Sequence, residues 1–365
     1  MPFQSLIFLY GFLPIAYLGF WQLRTTRQRH IWLTLTGFVF YGFWNWKFCF
    51  LMLLSTAVSF AAGCAIQRFG PRRWCLIVPV ALDLALLGFF KYANFALTTF
   101  GAPVLDIVLP VGISFYTLHT ITYIVDCHRG DVTPASNFFE FAAYVSFFPQ
   151  LVAGPISRFG QVCGDFAAAG ETERGRDLDR ACSFFAIGLA KKVLLADTIA
   201  AVIDPALAQW QTLTAIDTWL CVLGYAYQLY FDFSGYSDMA AGLGLAFGIR
   251  LPQNFDSPFR AIDIADFWRR WHISLSTVLR DLIYIPLGGS RSRVHRNLWI
   301  TMLACGLWHG ASWPCVLWGA YNAALLSIHR VTPARTKRLP VAPRRAATFL
   351  LFVLGVAIFR GSSLT

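Results

Sequence analysis

The sequence predicts an all-α polytopic membrane protein. Of its 365 residues, 57% are hydrophobic and 13% charged, and Phe alone contributes 34. Soluble globular chains carry about 25% charged residues. The apolar residues fall in successive runs about long enough to cross hydrocarbon near 30 Å thick. The basic residues behind the net charge of +11 lie mostly between those runs, where the Lys/Arg excess of cytoplasmic loops accounts for them. That placement argues against the nucleic-acid partner such a charge would suggest in a soluble chain.

Residues 5–23 form the first membrane helix. No basic segment precedes them and no small-residue cleavage site follows, so they are not read as a signal peptide. Residues 31–46 form the second, ending at an outer interface marked by Trp44, Asn45, Trp46 and Lys47, with rings at headgroup level and the amine in water. Residues 48–66 return to the cytoplasm and 74–90 leave it, with Asp83 turned toward other helices. Arg24, Arg27 and Arg29, then Arg68, Arg72 and Arg73, then Arg330, Arg335, Lys337, Arg338, Arg344 and Arg345 form basic loops. All three are assigned to the cytoplasm, which puts the N-terminus outside.

From Pro103 the runs shorten. Residues 109–131 and 138–159 are interrupted by Pro, Gly and charge, which is tolerated at membrane depth only inside protein or beside a water-filled cavity. His119 is expected to be an interior, hydrogen-bonded histidine. Residues 160–180 read as a polar surface loop. Residues 181–203 span, with a break near Lys191 and Lys192. Residues 216–248 carry Asp232, Ser234 and Asp238 into an apolar run, where an Asp at a helix centre costs about 2.5–3.5 kcal/mol on insertion scales. Interior hydrogen bonds are expected for all three. A Ser-His-Asp triad through Ser234 is the alternative, since triads are defined by geometry. Gly242, Gly244 and Gly248 are spaced G-x-G-x-x-x-G, which is not a dinucleotide fingerprint, and are assigned to close helix packing.

Residues 250–295 are too charged to span, and Pro252, Pro258 and Pro286 cut them into pieces. Charged residues alternate there with Phe267, Trp268, Trp271, Leu275 and Leu279, the pattern of amphipathic helices at an interface. Residues 297–328 hold two runs broken at Pro314, and 346–359 form a last run. The interlocked segments read as one domain, residues 1–365. The nine cysteines contain no C-x-x-C pair, so no zinc or redox site is indicated, and each is expected to be a small buried apolar residue. His30, His128, His295 and His329 are placed in solvated loops.

Several long motifs resemble one family. They are GISFYTLHTITYIVD at 112–126, YVSFFPQLVAGPISRF at 144–159, YFDFSGYSDMAAGLGLAFGIRLPQNFDSPF at 230–259, DFWRRWHISLSTVLRDLIYIPLGG at 266–289 and GLWHGASWPCVLWGA at 306–320. The chain is similar, from about residue 110 onward, to bacterial membrane-bound O-acyltransferases of the MBOAT superfamily, in their alginate O-acetyltransferase branch. The resemblance implies a ring of transmembrane helices around a core of tilted and re-entrant helices, with a central tunnel. It implies that His309, in the W-H-G motif, is the catalytic histidine and His272, in W-R-R-W-H, the second catalytic candidate. Trp268, Arg269, Trp271, Trp308 and Gly310 are substrate-binding candidates at the tunnel. Family members run on past the point where this chain stops, after Phe359-Arg360, so the chain is read as lacking the family's last C-terminal helices.

The function this implies is an inner-membrane, multi-pass O-acyltransferase. It would carry an acetyl group from a cytoplasmic thioester, acetyl-CoA or similar, to hydroxyls of an exported polysaccharide, directly or through a periplasmic serine-type acetyltransferase partner. Its surroundings are membrane lipid, and no bound cofactor or metal is expected. The alternatives are D-alanyl transfer to teichoic acid and a catalytically inactive transport or structural protein. A histidine suits acyl transfer because it titrates near neutral pH and holds one nitrogen basic while the other donates.

The orientation is checked by cysteine labelling of intact cells. Residues 24–29 and 330–345 are expected to react only with cytoplasmic reagent; labelling of either stretch from the periplasm refutes it.

Overall fold

Helices make up the regular structure of the computed structural model, which describes residues 1–171, 175, 177–332 and 339–361. No strand occurs among the described residues. Among the described residues, three helices are long and apolar enough to cross a membrane: Lys47–Phe69, Arg73–Thr99 and Val341–Arg360, with a shorter apolar helix at Ile7–Gln22. The chain divides into two compact units, 1–189 with 236–252, and 190–235 with 253–365.

The first unit opens with α1 (Ile7–Gln22) and α2 (Thr26–Asn45), which starts earlier than its apolar run because Thr25 and Gln28 form a reciprocal capping box. Each side chain there satisfies a backbone N–H that the first turn leaves unpaired. The cap changes the fate of two residues expected in a solvated loop. Arg29 is buried, bonded to the carbonyls of Leu23 and Ala169, with its guanidinium over Phe20 and Trp21. His30 is buried too, and its Nε2 lies 2.8 Å from the Phe166 carbonyl. Once the helix begins at Thr26, both positions turn inward.

α3 (Lys47–Phe69), α4 (Arg73–Thr99) and α5 (Ile113–Arg129) meet at Asp83. Its two oxygens accept from Ser55 Oγ and Thr120 Oγ1, both at 2.7 Å. The carboxyl expected to face other helices therefore joins three of them. α5 is unbroken, because Pro110 and Gly112 precede it; Gly112 has φ +75°, and a Cβ there would stand 2.8 Å from the Leu151 carbonyl oxygen. His119 on α5 is fully buried, as expected. It is not hydrogen-bonded: neither ring nitrogen has a partner among the described residues, and the ring packs on Tyr144 at 5.5 Å.

The next run is broken as expected, into α6 (Phe138–Ser146), a short turn at Phe148–Leu151 and α7 (Phe159–Ala167). α7 corrects the surface loop expected from residue 160. Val162 and Phe166 are fully buried, and their apolar spacing gives one inward face under a polar exterior. Residues 172–174 and 176, also assigned to that loop, lie outside the described residues, as do 333–338 of the last basic loop. Arg344 and Arg345 of that loop belong to the final helix instead. Against the burial expected of every cysteine, Cys64 and Cys182 are exposed and Cys49 and Cys163 only partly buried, while the other five are buried; all nine are free thiols.

α8 covers 178–208 in three parts, with a π-helical stretch at Lys191–Ala196 between Leu178–Ala190 and Asp197–Ala208. This is the irregularity expected at the paired lysines. In the second unit Lys192 Nζ lies 2.7 Å from Asp197 and 2.6 Å from Asp232, so the Asp232 carboxylate is partnered by a cation. α9 (Ala215–Ala246) is continuous through both units. In the first unit, a Cβ at Gly242 would stand 2.6 Å from the Ala181 carbonyl oxygen and 2.8 Å from Phe185 N. That is the close backbone approach expected of this glycine. Gly248 instead ends the helical turn at φ +77°, which an L side chain adopts only with strain.

The second unit continues through α10 (Ile264–Arg270), α11 (Ile273–Leu279), α12 (Val294–His309), α13 (Trp313–Val331) and α14 (Val341–Arg360). The charged stretch 250–295 is thus cut into short helices, as its prolines imply. Its apolar layer is aromatic: Phe267, Trp271 and Phe352 lie 5.0–5.5 Å apart.

Gly242→Ala is expected to lower stability by about 1–3 kcal/mol, the range for overpacking. A Cβ at Gly88 meets nothing within 4 Å, so Gly88→Ala should be neutral or mildly stabilising. Thermal unfolding in detergent checks both; equal midpoints would remove the close contact at Gly242.

Candidate functional site

The two histidines singled out in the sequence come together in the second unit. His309 ends α12, and three residues separate it from the start of α13, with Ser312 capping that helix by accepting from Cys315 N. The two helices pack with almost no side chain between them. A Cβ at Gly306 would stand 2.3 Å from the Cys315 carbonyl oxygen, and one at Gly319 2.5 Å from that of Met302. Glycine at both positions lets the backbones touch, which holds His309 at the closed end of a tight hairpin. Gly310 belongs to the same constraint, since a Cβ there would meet Cys315 Sγ at 2.7 Å.

His272 sits at the junction of α10 and α11. Its backbone is left-handed, φ 44° and ψ 53°, a conformation that costs a non-glycine residue roughly 1–2 kcal/mol. Two backbone bonds pin the junction to the preceding segment, Ile273 N to the Asn254 carbonyl and Asp256 N to that of Arg270, each 3.0 Å. Strain kept in place by such surroundings is a mark of functional positions.

The imidazoles of His272 and His309 lie 6.2 Å apart, centroid to centroid, at 63°. Aromatic rings pack against both, and His309 stays partly exposed where His272 is buried. Phe233 meets His272 at 4.7 Å and Trp308 meets it at 5.8 Å. Trp318 and Phe359 meet His309 at 5.1 and 5.5 Å. His272 is 1% exposed. Burial first, and the neighbouring His309 second, hold its imidazole well below the usual histidine range, because a low-dielectric setting disfavours the imidazolium. It is therefore neutral at physiological pH.

The substrate-binding candidates separate. Trp308 packs against both histidines, 5.8 Å from His272 and 5.0 Å from His309. Trp268 is one ring removed, 5.8 Å from Trp318, and its buried Nε1 has no hydrogen-bond partner among the described residues. Trp271 turns into the layer of Phe255, Phe267 and Phe352. Arg269 is exposed and pairs with Asp266 at 3.8 Å. Ser234 Oγ is buried with no hydrogen-bond partner among the described residues, so it is not bonded to a histidine and the triad alternative has no geometric support. His329 is half-buried, 3.8 Å from Asp263, and His128 closes α5; of the four histidines assigned to loops, His295 is the exposed one, at the start of α12. Among the described residues no cluster of three His, Cys, Asp or Glu side chains could hold a metal ion.

Sequence reasoning passed over Asn254, Phe233, Trp318 and Phe359. The rings carry no polar signal that distinguishes them from neighbouring membrane aromatics. Asn254 stands in the polar run Q-N-F-D-S-P-F, where its neighbours are equally plausible.

The described residues are helical, three of their helices are apolar and long enough to cross a membrane, and two histidine rings meet among them. The sequence profile of the membrane-bound O-acyltransferase family matches residues 134–359, and the chain belongs to that family. It is an O-acyltransferase by membership. It is 43% identical over 386 residues to a protein of Pseudomonas aeruginosa named "probable alginate O-acetylase", covering 100% of this chain and 73% of the relative. It is 36% identical over 407 residues to a peptidoglycan O-acetyltransferase of Helicobacter pylori, covering 99% and 77%. A teichoic acid D-alanyltransferase of Streptococcus thermophilus is 32% identical over 235 residues, covering 60% and 56%. The likeness to the first two thus extends well before residue 110, where the sequence motifs begin.

The hairpin argument carries its own test. Gly306→Leu is expected to separate α12 from α13 and lower the unfolding midpoint. Leu at Gly11, where a Cβ would meet nothing within 4 Å, should leave it near wild type. Equal midpoints would refute the close approach.

Proposed function

We propose that this chain passes an acetyl group from a cytoplasmic thioester, acetyl-CoA or similar, to hydroxyls of an exported polysaccharide, directly or through a periplasmic serine-type acetyltransferase. The observation that carries the reading is the pair of adjacent histidines inside an aromatic enclosure. Their chain is similar from end to end to a protein named for alginate acetylation. The D-alanyl alternative has the weaker support, since that likeness covers 60% of the chain.

In this reading His309 is the general base. An acceptor hydroxyl approaches the thioester carbonyl, and His309 takes its proton as the oxygen attacks carbon. The tetrahedral oxyanion collapses to the ester, and the C–S bond breaks. The thiolate recovers the proton from the imidazolium, so the histidine ends as it began. A positioned base contributes typically 10²–10⁴-fold. His272 either holds the acceptor hydroxyl or polarises the acyl carbonyl. Trp308 and Trp318 keep water from competing with the acceptor.

The reacting atoms must come within about 3–3.5 Å, yet the donor is too polar to enter hydrocarbon and the acceptor lies outside. The reading therefore needs a path from each side meeting at the histidines. The ring of helices around a broken core, expected from the family resemblance, would provide it, with the short helices of 250–295 as its walls. The N-terminus lies outside in this arrangement.

His309→Ala is expected to reduce transfer by about 10²–10⁴-fold, with the protein still inserted and its unfolding midpoint near wild type. His272→Ala should cause a smaller loss. Acetyl content of surface glycan, compared with and without the gene and with each variant, is the measurement; near-normal acetylation by His309→Ala would remove it as the base.

A further inference from the structure

The orientation of the His272 imidazole is set by one side chain outside the family motif that carries it. Asn254 Oδ1 lies 3.1 Å from His272 Nδ1, 2.9 Å from Ser274 Oγ and 3.3 Å from Ser274 N. The last contact identifies the amide atom. A backbone N–H can only donate, so the Asn254 atom facing it is the carbonyl oxygen and not the NH₂ group, which these bonds would otherwise leave open. That oxygen can only accept. His272 Nδ1 must therefore carry the proton, and Nε2 carries the lone pair. Nε2 is buried with no hydrogen-bond partner among the described residues. Asn254 is itself 2% exposed, and its own backbone carbonyl accepts from Ile273 N. One residue thus braces both the main chain beside His272 and the ring.

We infer that Asn254 is a positioning residue that fixes His272 as its Nδ1–H tautomer, so that His272 enters the reaction as a hydrogen-bond acceptor. This rests on the proposed role of the histidine pair and narrows it. A neutral imidazole with a lone pair at Nε2 can hold or deprotonate a hydroxyl. It cannot donate from that nitrogen to the oxygen of the acyl group, so oxyanion stabilisation falls to other donors. The rings against His272 are Phe233, Trp308 and His309, and His309 is the titratable one. Among the described residues, Asn254 is the hydrogen-bond partner that the His272 ring has. Free imidazole in a side chain has no such preference for Nδ1–H built in, and which nitrogen holds the proton follows from the bond the other makes.

The test uses the full-length protein in detergent with ¹⁵N-labelled histidine, where long-range ¹H–¹⁵N spectra distinguish the two tautomers. The His272 signal is assigned by its loss in His272→Ala. Wild type is expected to show protonated Nδ1 and unprotonated Nε2. Asn254→Leu should lose that pattern and lower kcat by about ten- to hundredfold, the loss typical when the outer partner of a metal-bound imidazole is removed. Asn254→Asp guards against misfolding, since it accepts the same three bonds. Its carboxylate favours the imidazolium, so the acid limb of the pH–rate profile should move up by about 1–3 pH units. A merely structural role would not move that limb. An unchanged tautomer in Asn254→Leu, or an unmoved acid limb in Asn254→Asp, overturns the inference. If His272→Ala transfers acetyl at the wild-type rate, the proposed role of the histidine pair fails instead, and the spectrum of Asn254→Leu still decides what Asn254 does to the ring.

Discussion

Hydrocarbon offers no hydrogen-bond partner, so each polar group that this chain carries into an apolar run has to be met by protein or held beside a cavity. Much of the architecture follows from that constraint. Asp83 ties α4 to α3 and α5 through two hydroxyls. Asp232 on α9 meets Lys192, which stands where α8 loosens into a π-helical stretch. Asp126 on α5 takes the guanidinium of Arg158, just before α7. Each bond lies between segments distant in sequence, and those at Asp83 and Asp126, both buried, would be expensive to break because the freed carboxylate has no water to turn to.

Against that background, the polar atoms left unmet stand out. His272 Nε2 is buried without a partner among the described residues, while the other nitrogen of the same ring is firmly held. The main chain at this residue is left-handed. A fold that satisfies acids elsewhere keeps a left-handed backbone and an unmet lone pair together at His272, beside a second histidine. Such departures from local consistency are expected where function, rather than stability, sets the residue. His119, Ser234 and several other buried side chains share the unmet state among the described residues; His272 combines it with a left-handed backbone and a second histidine ring 6.2 Å away.

Close helix packing works on a different scale. Gly306 and Gly319 bring two backbones into contact, and the short connection that follows leaves His309 little freedom. A site formed at a rigid hairpin end and a braced junction is suited to acyl transfer, where reacting atoms must be aligned before charge develops. Aromatic rings border both imidazoles, with His272 buried and His309 partly exposed.

The membrane class was legible in the residues themselves, because composition decides it. The start of α2 was not read: the cap at Thr25 and Gln28 is a local event, but hydropathy alone placed Arg29 and His30 in a loop. The prolines of 250–295 and the lysines at 191–192 likewise predicted where regular helix fails. His272 and His309 could be singled out as chemically able residues in motifs. Their meeting could not be read from the chain, because it depends on the left-handed turn at His272 and on the glycine contact between α12 and α13. The split of the aromatic-basic cluster is also tertiary, with Trp271 in an apolar layer, Arg269 exposed and Trp268 one ring from the site. So is the part of Asn254. An asparagine in a polar run has no direction until a backbone N–H from a later helix fixes its oxygen, and that contact exists only in the folded chain.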